Sequence, residues 1–184
     1  MTDLPLRALG VLPLLFFISM ALFHVKKGRW GDAFWMCHAS NLLLAVGLFF
    51  EKPTMVAMAL PWLLFGIPLW LGEAVRIRRI IPLSVVTHWG GALVAFYAAH
   101  RWGAGSDWWW KSLIFALAVQ GITRWATPAV WNINAAHGVY DVAKGVFKSF
   151  LSFWIFCIGL TAILLWATEK VLTLFFSRRG MRRQ

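Results

Sequence analysis

Acidic residues are scarce in this chain: seven Asp and Glu among 184 positions, against 18 Lys and Arg. Charged side chains make up 14% and hydrophobic ones 60%, and a mean hydropathy of +0.69 is too apolar for a soluble domain. Cysteine is sparse as well. Cys37 and Cys157 lie in separate apolar segments, with no Cys-x-x-Cys pair, zinc-ribbon spacing or Cys-x-x-Cys-His haem attachment. A disulfide would require those two segments to touch, and Cys157 reads as a small core residue. Internal repeats, low-complexity linkers and composition shifts are absent, so residues 1–184 read as a single integral membrane domain. Without repeats or paired broken helices in corresponding halves, a secondary transporter is disfavoured.

What the chain has is long apolar runs. A spanning helix needs about 20 largely apolar residues, and the candidates are 4–24, 33–50, 55–75, 82–101, 108–127 and 150–176. They predict an all-α, polytopic membrane helix bundle of about six transmembrane helices. The last segment is long enough to tilt or to continue past the bilayer. The first has only Arg7 ahead of its apolar core and no small-x-small pattern before Lys26, so it reads as an uncleaved anchor. Trp30, Trp70, Trp102 and Trp108 to Trp110 sit at span ends as an aromatic belt would. Packing a pigment or quinone is the other use of so many aromatics.

Basic residues cluster beside the spans, at Lys26-Lys27-Gly28-Arg29, Arg76-Ile77-Arg78-Arg79 and Arg178-Arg179 with Arg182-Arg183. Such clusters orient membrane proteins and attract anionic headgroups. The net charge of +11 therefore points to membrane lipids and not to nucleic acid. The expected location is a bilayer, the bacterial inner (plasma) membrane. Six spans divide the basic residues equally between the two sides, so charge leaves orientation open. A half-span or re-entrant segment near residues 129–146 would change the parity.

Polar residues inside the apolar runs carry the functional signal, because at membrane depth they are costly unless paired. Cys37, His38 and Asn41 fall within two turns, and on a helix the Asn shares a face with both others. His24 falls at a span boundary and reads as interfacial. The third segment contains Pro61 and Pro68, which predict a bent or broken helix, and Glu73 reads as the partner of Arg76. Thr87-His88 opens the fourth segment ahead of Gly90-Gly91, which allow close approach to the backbone. After the fifth, Pro128 should end the helix, and Asn132 and Asn134 predict an irregular stretch. Beyond it, spacings of three and four would bring Asn134, His137 and Asp141 onto one helical face. Arg124 is placed to hold a phosphate headgroup or to act as an orientation signal.

Three motifs together resemble the YwaF-like integral membrane proteins, distantly related to the intramembrane lipid hydrolases and acyltransferases of the androgen-dependent TFPI-regulating protein type. They are Cys37-His38-Ala39-Ser40-Asn41, Thr87-His88-Trp89-Gly90 and Asn132-Ile133-Asn134. The chain is shorter than that family's pattern, and His38 stands where the pattern often has no histidine. The resemblance implies a lipid-directed acyl hydrolase or acyltransferase, and the residues allow that chemistry. A protonated thiol is a poor nucleophile and needs a base within hydrogen-bond reach. Cys37 is the expected nucleophile and His88 the expected base. Asn41 or Asn134 would orient the imidazole or donate to the oxyanion. Asn132, Asn134, His137, Asp141 and Arg124 are the expected substrate contacts.

Two other readings fit the same residues. A haem or divalent-metal protein would use His38, His88, His137 and Asp141, although no His-x-x-x-His spacing is present. A non-catalytic subunit or assembly factor of a larger membrane complex would need partner subunits and no working site.

Overall fold

The computed structural model describes residues 5–180, with side chains described through residue 176. The expected start of the first span at residue 4 and the basic pair Arg182-Arg183 lie outside the described residues, as do the side chains of Arg178 and Arg179. The described chain is all-α. A 3-10 turn, Leu6–Gly10, leads into α1 (Val11–Lys26); α2 (Met36–Phe49), α3 (Pro53–Arg76), α4 (Pro82–Trp102), α5 (Trp109–Ala126) and α6 (Phe150–Gly180) follow.

Local chemistry sets these boundaries. Pro53 and Pro82 start α3 and α4, where a missing N–H costs nothing. Gly103 ends α4 at φ 83°. Thr127, held extended ahead of Pro128, ends α5.

Helices α1 to α4 form a ring in which α1 packs on α2 and α4, and α3 closes the other side. The core is Leu44 and Leu48 of α2 with Leu60 and Leu63 of α3, against Ala92, Ala95 and Ala99 of α4. That spacing of three and four gives α4 a stripe of small residues, which lets neighbouring backbones come close. Helices α5 and α6 pack on each other beside the ring. Polar links at its N-terminal end tie α5 to α3 and α6. Ser112 Oγ accepts from Trp62 Nε1 at 2.8 Å and donates to the Met58 carbonyl at 2.9 Å. Glu169, 1% exposed in α6, accepts the backbone N–H groups of Trp108 and Trp109 at 2.8 and 3.0 Å, capping α5 with a carboxylate.

Three stretches are long and apolar enough to cross a membrane: Leu6–Lys26, Pro53–Arg76 and Phe150–Phe176. Their outer faces are bare hydrocarbon, with Leu22 56%, Leu69 75% and Ile163 63% exposed.

Three expectations need correction. Residues 33–50 give a helix of only 14 residues, because 30–34 form a 3-10 turn first. Of the bent or broken helix expected from Pro61 and Pro68, the broken form is not adopted, since α3 continues without interruption for 24 residues. The helical face expected from Asn134 onward does not form. Residues 129–143 hold short 3-10 turns, with Asn132 at φ 40° and both Asn134 and Ala135 at φ 53°. Left-handed residues cannot continue a right-handed helix.

Candidate functional site: a thiol and three imidazoles

The N-terminal turn of α2 is built from two distant pieces of chain. Asn134 clamps it: its Oδ1 accepts the Met36 N–H at 3.1 Å and its Nδ2 donates to the Phe34 carbonyl at 2.7 Å. The His38 N–H goes to the Trp35 carbonyl. The N–H of Cys37 lies in the same turn, at the positive end of the helix dipole. Gly31 makes the clamp fit, since a Cβ there would lie 2.7 Å from the Trp131 ring and 2.8 Å from Thr127.

Side chains satisfy several backbone groups of the segment that carries Asn134. Gln120 Nε2 donates to the carbonyls of Asn134 and Ala135, and Arg124 donates to that of Ala136 at 2.6 Å. Asn132 Oδ1 accepts from the N–H groups of His137 and Gly138, closing a tight turn. The Tyr140 hydroxyl accepts the Ala135 N–H at 2.7 Å, and burial pushes this phenol up to about 12, so it stays neutral.

Into this frame the helices bring an imidazole chain. The Cys37 Sγ lies 3.8 Å from Nδ1 of His38. The His38 ring meets His24 of α1 at 5.5 Å between centroids and His88 of α4 at 5.9 Å. His24 Nδ1 lies 3.7 Å from the carboxylate of Asp32, which also takes a two-pronged bond from Arg29. That pairing holds the Arg29 guanidinium above its ordinary value. At the other end, His88 stacks on Trp70 at 5.2 Å, and its Nδ1 donates to the Ser84 carbonyl at 2.8 Å. In a neutral ring this makes Nε2 the acceptor nitrogen.

The expected Cys37–His88 pair is therefore spaced, not bonded. Gly66 of α3 faces both: a Cβ on it would be 3.2 Å from Cys37 Cβ and 3.7 Å from His88 Cδ2. Asn41 joins α2 to α4, with Nδ2 donating to the carbonyls of Cys37 at 3.0 Å and Thr87 at 3.5 Å. Its amide donor is thus engaged by backbone, while Oδ1 is buried without a partner, as is Ser40 Oγ.

The expected substrate contacts scatter. Asn132 and Asn134 serve the backbone as described. His137 Nε2 lies 3.4 Å from the Thr127 hydroxyl. Asp141 is exposed and paired with Lys144 at 2.6 Å, which holds its carboxyl below the usual range. Arg124 lines a groove between α5 and α6. Of the residues expected to bind a metal, His38 and His88 meet, whereas His137 and Asp141 are engaged elsewhere. Among the described residues no group of three or more His, Cys, Asp or Glu stands together as a metal site.

His24, Asp32 and Glu169 were missed by sequence reasoning. A longer first helix, carried through to Lys26, would have been the signal for His24.

Two variants test this frame. Asn134→Ala should cost about 1–2 kcal/mol of stability, read from the melting temperature in detergent. Asn134→Asp should fall between it and the wild type, because it keeps the acceptor for Met36 and loses the donor to Phe34. Gly91→Ala puts a Cβ 2.3 Å from Asn41 Oδ1, and about 1–3 kcal/mol should be lost. In the Asn41→Ala background the same change should cost clearly less, because the clashing amide is gone. Equal costs in both backgrounds would refute the contact.

No protein-family model, no curated protein and no solved structure matches the chain.

Proposed function

We propose that this chain is an integral membrane protein of six spans, in the plasma membrane of a bacterium, that carries out thiol-dependent acyl transfer from a lipid ester. The acceptor is water, giving a hydrolase, or a second lipid hydroxyl, giving an acyltransferase. The reading keeps the chemistry implied by the YwaF-like resemblance. The observation that carries it is the 3.8 Å approach of Cys37 Sγ to His38 Nδ1 at a helix N-terminus, with His24 and His88 against the same ring.

The short α2 has to be accommodated in the membrane reading. Fourteen residues rise about 21 Å, less than the ~30 Å hydrocarbon thickness. The 3-10 turn before α2 and the Asn134 segment make up the difference. Irregular backbone at that depth is tolerated only where protein satisfies it, and Gln120, Asn132, Asn134 and Arg124 do so here.

In the proposed step His38 Nδ1 takes the thiol proton as the sulfur attacks the ester carbonyl. A C–S bond forms, the ester C–O bond breaks, and the proton passes from His38 to the departing alcohol. The acceptor hydroxyl then attacks the thioester and gives its proton to His38; a C–O bond forms, the C–S bond breaks, and His38 returns the proton to the sulfur to restore the thiol. The Cys37 N–H is the donor placed for the oxyanion. His24, facing Asp32, orients the His38 ring from behind.

Intact-mass spectrometry of the detergent-purified protein, incubated with lipid esters, tests the reading. An acyl mass removed by neutral hydroxylamine and absent from Cys37→Ala is expected, together with release of the lipid alcohol on repeated turnover. An adduct without turnover would be passive acylation, and an unmodified Cys37 would replace this function with that of a non-catalytic subunit.

A further inference from the structure

We propose that the groove between α5 and α6 binds one anionic phospholipid, its phosphate on Arg124 and an acyl chain along the groove. The groove has a volume of about 510 Å³, within the range of small-ligand pockets. Leu117, Gly121, Phe150 and Leu151 supply hydrocarbon walls.

Its two neutral polar side chains are turned to internal use. Gln120 Oε1 accepts from Trp154 Nε1 at 2.8 Å while Gln120 Nε2 donates to the Asn134 and Ala135 carbonyls. Both ends of the amide and the indole N–H are therefore satisfied, and the groove offers a chain no polar atom in need of a partner.

Charge is confined to one residue. Arg124, exposed in the last turn of α5, gives one N–H to the Ala136 carbonyl and lies over the Phe150 ring at 5.5 Å. A guanidinium has five donors in a planar fork. Among the described residues no carboxylate lies within 4.0 Å of it. The nearest basic residues along the chain are Lys111, 13 positions before it, and Lys144, 20 positions after it and occupied by Asp141. An apolar trough ending at an uncompensated fork fits a phosphate attached to a hydrocarbon chain better than a free anion. The site depends on the membrane reading and not on the thiol chemistry.

Native mass spectrometry of the full chain, released from micelles containing phosphatidylglycerol or phosphatidylcholine with matched acyl chains, tests it. The wild type should retain phosphatidylglycerol over phosphatidylcholine by about tenfold, and Arg124→Gln should abolish that preference while Arg124→Lys keeps part of it. Gly121→Trp fills the trough from a position whose Cβ would meet nothing within 4 Å, so it should lower retention of both lipids at an unchanged melting temperature. If Arg124→Gln fails to fold, Gly121→Trp still decides the outcome. Equal retention by the wild type and Gly121→Trp, or an unaltered headgroup preference in folded Arg124→Gln, would overturn the site. Retention is read without turnover, so failure here leaves the thiol reading standing, and failure of acylation leaves this site standing.

Discussion

His38→Ala is expected to slow acylation of Cys37 by about a hundredfold to ten-thousandfold, the range typical for loss of a positioned general base. The thiol has one imidazole nitrogen in reach, His38 Nδ1 at 3.8 Å. His88 is a different case. Its Nδ1 is committed to the Ser84 carbonyl. His88→Ala should therefore slow the step by a smaller factor than His38→Ala, and Cys157→Ser should leave it unchanged. The measurement is the initial rate of appearance of the hydroxylamine-labile mass under single-turnover conditions. If His38→Ala matches the wild type while His88→Ala is inert, the base is His88 and the assignment made from geometry is wrong.

Glu169→Leu should destabilise the fold by about 2–4 kcal/mol. The carboxylate is 1% exposed and satisfies two backbone N–H groups that begin α5. Leucine fills similar space but accepts nothing, so both donors are left buried and unpaired at roughly 1–3 kcal/mol each, less whatever relaxation recovers. Both N–H groups meet the same oxygen, Oε2, so the single amide oxygen of Glu169→Gln keeps both bonds and this variant should lose less than Glu169→Leu, the negative charge at the helix start being what is removed. Denaturant titration in mixed micelles reads the difference. A Glu169→Leu protein within 0.5 kcal/mol of the wild type, a surface-like effect, would show that the cap contributes nothing.

The helices were legible because apolar runs and prolines announce them. Pro53 and Pro82 begin their helices as N1 prolines do. The Cys37–Asn41 face was legible for the same reason, since spacing of four survives any helical assignment. The thiol's partner was not. Adjacent residues on a helix point about 100° apart, which argues against a Cys37–His38 contact, yet the two atoms lie 3.8 Å apart. His24 was misplaced because a boundary residue reads as interfacial, whereas α1 continues to Lys26 and turns that ring toward His38.

The Asn132–Asp141 stretch shows the opposite failure. Its polar residues looked like substrate contacts because they were many and close in sequence. In space they answer a different demand, the hydrogen bonding of backbone that is neither helix nor strand. Asn132 and Asn134 hold left-handed conformations, so one residue type supplies both the bend and the side-chain bonds that stabilise it. The partner of Asn134 lies 98 residues away, beyond any local pattern.

That separation has a bearing on how the protein is made. A ribosome adds about 5–20 residues per second, so roughly 5–20 s pass between synthesis of Met36 and synthesis of the side chain that clamps it. During that interval the first turn of α2 has no Asn134 to hold it. The imidazoles of His24, His38 and His88 all belong to earlier helices, so the ring cluster can assemble before its frame is closed, and the Asn134 bonds to Phe34 and Met36 are the last part to be added.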